Sequence, residues 1–204
     1  MKNFRFIVLA CSLGIFLVFS FESFGQKIDS AAFQIKVLGI SIGNMEAKRT
    51  RKDSIETYDL QSQVSFWFFG KIYLNHQVDC IFRNGKFMES TVDSQTNKGD
   101  FLSKIFWKKD HYQVQSETYK YENSTPISEE VFSCISKLFF TKPKDGDIIL
   151  SETYGLTSPI IEVEPNVFQM TINGNKNQFY YENGVLDKVM IENPIKNFVM
   201  HRIY

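Results

Sequence analysis

The sequence is poor in cysteine, proline and glycine, and it has no excess of charge of either sign. Its 204 residues contain 3 Cys, 5 Pro and 11 Gly, which excludes a collagen-like chain and low-complexity disorder. The 23 basic residues equal the 23 acidic ones, and this balance argues against nucleic acid as a partner, because phosphate binding requires a basic surface. A chain of this length buries a hydrophobic core as one domain without crosslinks.

Aromatic residues and alternating hydrophobicity are abundant instead. Aromatics make up 15% of the chain, with 20 Phe and 9 Tyr. From Phe33 onward, apolar side chains recur at every second position, which is typical of strands with one buried face. Asn84-Gly85 and Asn183-Gly184 each separate two such runs, and Asn-Gly is a strong hairpin signal. The connections are too short for helical crossovers, so the sheet is predicted to be antiparallel.

One segment has helical periodicity. Ser128 is suited to cap a first turn, and Val131, Ile135 and Leu138 recur with the spacing of an amphipathic helix that ends before Pro143. We expect this helix to cover one face or mouth of the sheet. The sequence therefore predicts an all-β domain over residues 26–204, a strongly curved antiparallel sheet or open β-barrel of about ten strands with one short helix.

The first 25 residues have the pattern of an export signal. Lys2 and Arg5 precede an apolar stretch from Phe6 to Phe21, and small residues lead to Gly25. The stretch is shorter than the roughly twenty residues that span a bilayer, which disfavours an uncleaved anchor. We predict cleavage after Gly25 and a mature protein of the periplasm or cell envelope with no stable membrane anchor.

Motifs for catalysis and metal binding are scarce. His76, His111 and His201 are widely spaced, and no HExxH or paired CxxC pattern is present. Residues 39–43 match G-x-S-x-G, but strand-like residues follow where a nucleophile elbow needs a helix, so the glycines indicate a strand bend. The sequence predicts no cofactor, no metal and no catalytic set.

Three polar or reactive residues remain as candidates. Cys80 and Cys134 are the only cysteines of residues 26–204. An oxidising compartment permits a disulfide between them, and free buried thiols are the alternative. Glu152 lies in an apolar run, where it is either a buried carboxyl group with chemistry or the partner of a Lys or Arg.

The run Phe66-Trp67-Phe68-Phe69 is the most unusual local feature. Alternation sends aromatic rings to both faces, which indicates either an aromatic core or a strand that faces an apolar cavity or partner. We predict non-catalytic binding of a hydrophobic, lipid-like molecule or of an envelope protein. The alternatives are a small outer-membrane β-barrel and a hydrolase that uses Glu152. The predicted binding residues are Phe66, Trp67, Phe68, Phe69, Trp107, Glu152 and Tyr154.

Several stretches resemble a family of exported Gram-negative β-rich proteins of unknown function. They are residues 33–43 (FQIKVLGISIG), 81–86 (IFRNGK), 137–143 (KLFFTKP), 151–155 (SETYG) and 180–184 (YYENG). The resemblance covers nearly all of the predicted mature chain. It implies a curved antiparallel sheet or open barrel, and it implies no known activity.

Overall fold

The computed structural model describes residues 26–67, 71–192 and 197–204, with only the backbone at residues 66, 67, 71 and 72. The predicted signal peptide, residues 1–25, lies outside the described residues. The described chain forms one fourteen-stranded sheet and one short helix. The all-β prediction is confirmed, but about ten strands was too few. Two of the strands have only 3 and 4 residues, too short for an alternating pattern to be recognised.

The strands are bounded as follows: β1 Lys27–Val37, β2 Ile40–Lys52, β3 Ile55–Trp67, β4 Lys71–Arg83, β5 Lys86–Thr96, β6 Gly99–Lys108, β7 His111–Thr118, β8 Tyr121–Asn123, β9 Ile148–Ser151, β10 Leu156–Glu164, β11 Val167–Ile172, β12 Asn175–Glu182, β13 Val185–Ile191 and β14 Phe198–Ile203. The helix, α1, is Ile135–Leu138.

The sheet is a continuous antiparallel meander on either side of β1. From β1 the order runs through β2 to β8 in one direction, and from β14 back to β9 in the other. Every neighbouring pair of these strands is antiparallel. Both predicted Asn-Gly turns are present, with Asn84 and Asn183 at positive φ. The two edges of the sheet are therefore β8 and β9.

The two edges meet without pairing as strands. The Asn123 side chain at the edge of β8 donates hydrogen bonds to the carbonyl oxygens of Tyr154 and Gly155, at 3.1 and 2.9 Å. Ser103 donates from β6 to the Thr153 carbonyl oxygen at 3.0 Å. The turn between β9 and β10 thus lies against β6 and β8, and the sheet wraps round into an incompletely closed barrel.

The chain between β8 and β9, which we call the crossing segment (residues 124–147), fills one end of this barrel. The sequence predicted a helix from Ser128, but residues 128–134 are not helical. Ile127 exchanges backbone hydrogen bonds with Tyr112, and the Val131 carbonyl accepts the N–H of Phe87. Because these bonds to strands replace the helical ones, α1 begins only at Ile135. Among the described residues, no helix is long and apolar enough to cross a membrane.

The inner face of the sheet carries an aromatic core at the end where the crossing segment lies, which we call the packed end. The rings of Phe82 and Phe87 are 5.5 Å apart, and those of Phe33 and Phe139 are 5.3 Å apart, both edge to face. Tyr112 is fully buried beside them. The opposite end, where β3 ends at Trp67, is called the open end.

Candidate functional site

The predicted binding residues do not form a single site. Trp107 lies at the packed end, where its ring contacts Tyr112 with centroids 4.7 Å apart and Lys86 Nζ lies 3.3 Å from its ring centroid. Trp67 is the last residue of β3 and pairs with Lys71 at the open end. The strand registers put these two tryptophans roughly ten residues apart along the sheet, on the order of 30 Å. The Phe66 and Trp67 side chains and all of Phe68 and Phe69 lie outside the described residues.

Several inward-facing apolar side chains at the open end are only partly buried, whereas Ile35 and Ile172 at the same end are buried at 3% exposure. Val64, Leu74, Phe101 and Phe198 all have intermediate exposure, and we call these four residues the open-end lining. Val64 pairs directly with Leu74 across β3 and β4. The inner face is therefore closed at the packed end and accessible at the open end.

A histidine and a serine are hydrogen bonded just inside the open-end lining. His76 pairs with Ser94 across β4 and β5, and the His76 Nδ1 atom lies 2.7 Å from Ser94 Oγ. Burial lowers the pKa of His76 to about 4, and the negative charge of Asp93 opposes this shift. Sequence spacing alone gave His76 no partner. Its place opposite Ser94 follows from the Asn84-Gly85 turn together with a one-residue shift of the register between Ile81 and Phe82.

The lowered pKa of His76 predicts acid sensitivity. The unfolded chain takes up a proton at this site below about pH 6.5, whereas the folded protein resists protonation until about pH 4. The free energy of unfolding should therefore fall as the pH drops through this window. In the His76→Gln variant, the free energy of unfolding measured with urea should fall less between pH 7 and pH 4 than in the wild type, by about 3 kcal/mol.

The partly exposed His111 provides the matched control for this measurement. Its side chain lies beside Asp110 at the surface, in contact with solvent in the folded and the unfolded chain alike. The His111→Gln variant makes the same substitution at the surface and controls for the loss of a histidine as such. Equal slopes for wild type and His76→Gln would contradict the prediction.

Glu152 is buried at 3% exposure directly after β9, far from the aromatic run. Its Oε2 atom accepts the N–H of Ile135 at 3.1 Å, and its Oε1 atom accepts the N–H of Ser136 at 2.9 Å. The carboxylate therefore caps the first turn of α1 from across the core, where Cys134 at the N-cap position provides no side-chain hydrogen bond. The expected Lys or Arg partner is absent within the described residues.

Tyr154 belongs to the contact between the two sheet edges. Its ring lies 5.2 Å from that of Tyr121, edge to face. Its carbonyl oxygen accepts a hydrogen bond from the Tyr121 hydroxyl at 3.1 Å. Tyr154 and Glu152 are thus close to each other in the chain, but both are engaged in holding the fold together, and neither adjoins Trp107.

Cys80 and Cys134 are buried and free in the structure. Their sulfur atoms and a Glu152 carboxylate oxygen all lie within 4.8 Å of one another, and we call these three residues the thiol–carboxylate cluster. Burial raises the pKa of both thiols. The two sulfur atoms lie close together without a bond between them, and the disulfide that the sequence permits stays a hypothesis beside the alternative of free buried thiols.

A separate groove of about 590 Å³ lies on the outer face, across β14, β1, β2 and β3. Glu46, Lys48, Asp59 and Gln61 are among its lining residues. The groove is open, and four of its eleven lining residues are charged, so it lacks the predominantly apolar walls that are typical of a pocket for a hydrophobic ligand.

Comparisons with known proteins agree with this architecture. The chain is similar in fold to a solved structure described as a beta-barrel-like protein of domain of unknown function DUF1849 from Brucella abortus. The TM-score is 0.56 at 8% sequence identity, over 85% of this chain and 94% of that chain. A search of curated proteins found no match. The profile of the domain of unknown function DUF6134 matches residues 33–203, so the expectation of a β-rich domain of unknown function is confirmed and the chain belongs to the DUF6134 family.

Proposed function

We propose that the protein is an exported, non-catalytic binding protein of the periplasm or cell envelope, with an apolar, lipid-like ligand held at the open end of its barrel. The observation that carries the proposal is the contrast between the two ends of the inner face. At the packed end Phe82 and Phe87 are completely buried. At the open end Val64, Leu74 and Phe101 face inward but stay partly exposed.

The open-end lining suits a hydrocarbon chain for a simple energetic reason. Apolar surface that leaves water contributes about 25 cal/mol per Å² to binding, and the lining still has such surface to bury. The hydrogen-bonded pair of His76 and Ser94 lies next to it and offers polar atoms for a ligand head group, a common arrangement in ligand pockets. Phe66 and Trp67 are the last two residues of β3 at this same end, and residues 66–69 remain predicted members of the site.

Neither alternative function has a comparable observation behind it. A membrane β-barrel exposes apolar side chains to lipid along the middle of its strands, whereas Gln61, Gln77 and Asp79 are exposed on the outer face of β3 and β4. A hydrolase based on Glu152 needs this carboxylate at an accessible site. Instead it is buried and accepts two backbone N–H groups of α1.

Native mass spectrometry with lipid extraction tests the proposed ligand. The protein is produced from the full chain and purified from the cell envelope. We expect a stoichiometric acyl-containing ligand on a polypeptide whose first residue is Gln26. Bare polypeptide would contradict the lipid ligand and favour an envelope protein as partner, to be sought by crosslinking from Trp67. A protein recovered only from the cytoplasm with residues 1–25 intact would contradict export.

Two adjacent residues on opposite faces of β6 locate the binding surface. Phe101 faces the open end and Leu102 faces outward, where it is exposed. Phe101→Asp introduces a charge beside the proposed hydrocarbon chain, and it should weaken binding of a fluorescent palmitate analogue by at least about tenfold, or 1.4 kcal/mol. Leu102→Asp should bind the probe like wild type. Circular dichroism checks that both variants are folded. If the two folded variants bind the palmitate analogue with equal affinity, the ligand binds elsewhere.

A further inference from the structure

The thiol–carboxylate cluster draws its three side chains from three different parts of the fold. Cys80 comes from β4, Cys134 from the crossing segment and Glu152 from the residue after β9. All three are buried, at 1%, 0% and 3% exposure. Ser136 lies against the same group, with its Oγ atom 3.6 Å from the Cys80 sulfur. The cluster is the place where the crossing segment is joined to the wall of the barrel.

The charge at the cluster is not balanced by protein groups. No Lys, Arg or His side chain in residues 26–67, 71–192 and 197–204 forms an ion pair with Glu152. Two backbone N–H groups are its hydrogen-bond donors besides the Cys80 thiol. Buried charges in proteins are normally paired with opposite charges or bound to a metal ion. The two buried thiols beside this carboxylate form a set of donor atoms that suits a metal ion with affinity for sulfur.

The distance between the Cys80 sulfur and the nearer Glu152 oxygen matches one edge of a tetrahedral site, and all three ligand atoms lie within 4.8 Å of one another. The Cys80 sulfur lies 3.4 Å from Glu152 Oε1. For Zn–S of about 2.3 Å and Zn–O of about 2.0 Å, a tetrahedron has an S···O edge of about 3.5 Å. The Ser136 hydroxyl group lies next to these ligands, beside the Cys80 sulfur. Calcium and magnesium prefer sites made only of oxygen, so sulfur ligands select against them.

We propose that Cys80, Cys134 and Glu152 bind a Zn²⁺ ion that ties the crossing segment to β4 and to the end of β9. Binding forms two Zn–S bonds and one Zn–O bond and releases the two thiol protons to solvent. The ion adds two positive charges while the thiols lose two protons, so the net charge of the cluster is unchanged and is shared among the ion and its three ligands. A Cys80–Cys134 disulfide would use the same sulfur atoms but would leave this carboxylate without a cation.

Metal analysis and cobalt substitution test the site. Protein from the full chain, purified with reductant and without chelator, should contain one zinc per chain. After removal of the metal, Co²⁺ should produce thiolate charge-transfer bands and the strong visible absorption of a tetrahedral centre. Cys134→Ser should weaken Zn²⁺ binding by at least about a hundredfold, because even residues that only support a ligand cost 10- to 100-fold.

A surface histidine provides the control for adventitious metal. His111 lies beside Asp110 and would hold a loosely bound ion, so His111→Gln should leave the cobalt spectrum and the zinc affinity unchanged. A cobalt spectrum of the wild-type protein without thiolate bands would overturn the proposal. So would a His111→Gln variant that no longer binds the metal. A Cys80–Cys134 disulfide in protein isolated without zinc would overturn it equally. The wild-type cobalt spectrum decides the question even where a cysteine variant fails to fold.

Discussion

Glu152→Ala should lower the free energy of unfolding by about 4 kcal/mol, because two backbone donors, one buried and one partly buried, lose their acceptors. The donors are the N–H groups of Ile135 and Ser136. Each buried donor without a partner costs about 1 to 3 kcal/mol, and the shortened side chain leaves a cavity in addition. Urea unfolding with chelator and reductant present measures this effect apart from any metal or disulfide.

Two further variants establish the cause. Glu152→Gln keeps one acceptor oxygen and should lose about half as much, since its amide group presents a donor where an acceptor is needed. Glu162→Ala is the matched surface control. Glu162 also accepts a backbone N–H, that of Asn166 at 2.8 Å, but it is exposed, so its loss should cost less than about 1 kcal/mol. A Glu152→Ala protein as stable as Glu162→Ala would show that the cap contributes little.

Gly43→Ala should cost about 3 kcal/mol, because the added methyl group has no room. A Cβ atom at Gly43 would overlap the carbonyl oxygen of Gln63 on β3. The backbone of Gly43 is not left-handed, so the close approach of the two strands, and not a turn conformation, requires glycine there. This crowding agrees with the interpretation of the G-x-S-x-G match as a strand irregularity, and the register of β1 against β2 does shift nearby, between Ile35 and Lys36.

Gly174→Ala separates crowding from backbone strain. Gly174 has a φ of +78°, and nothing lies within 4 Å of an added Cβ atom. Its substitution should cost about 1 to 2 kcal/mol through the left-handed conformation alone. Thermal or urea unfolding of the two variants should rank Gly43→Ala as the less stable. The reverse order would mean that β2 and β3 move apart easily at this point.

The alternation of apolar residues was sufficient to predict the class of fold and its antiparallel pairing. Its period of two fixes which side chains share a face, and the Asn-Gly turns fix where neighbouring strands reverse. Both signals are local, so they are readable from the sequence. The apolar pattern around Val131 and Leu138 predicted burial correctly, since both residues are buried. It predicted helix too early, because the backbone there pairs with the strand residues Phe87 and Tyr112.

The candidate sites were decided by the tertiary structure. Alternation assigns a residue to a face of the sheet but does not give its position along the barrel axis. Trp67 and Trp107 were therefore placed in one predicted site although they lie at opposite ends. Conversely, Cys80 and Glu152 are 72 positions apart in the chain and yet in contact. Their contact depends on how far the whole sheet curls and on where the crossing segment enters it. The sequence determined the strands and the face on which each side chain lies. The curvature of the whole sheet decided which of these side chains come into contact. This curvature is the sum of small twists over fourteen strands, so no short stretch of sequence encodes it.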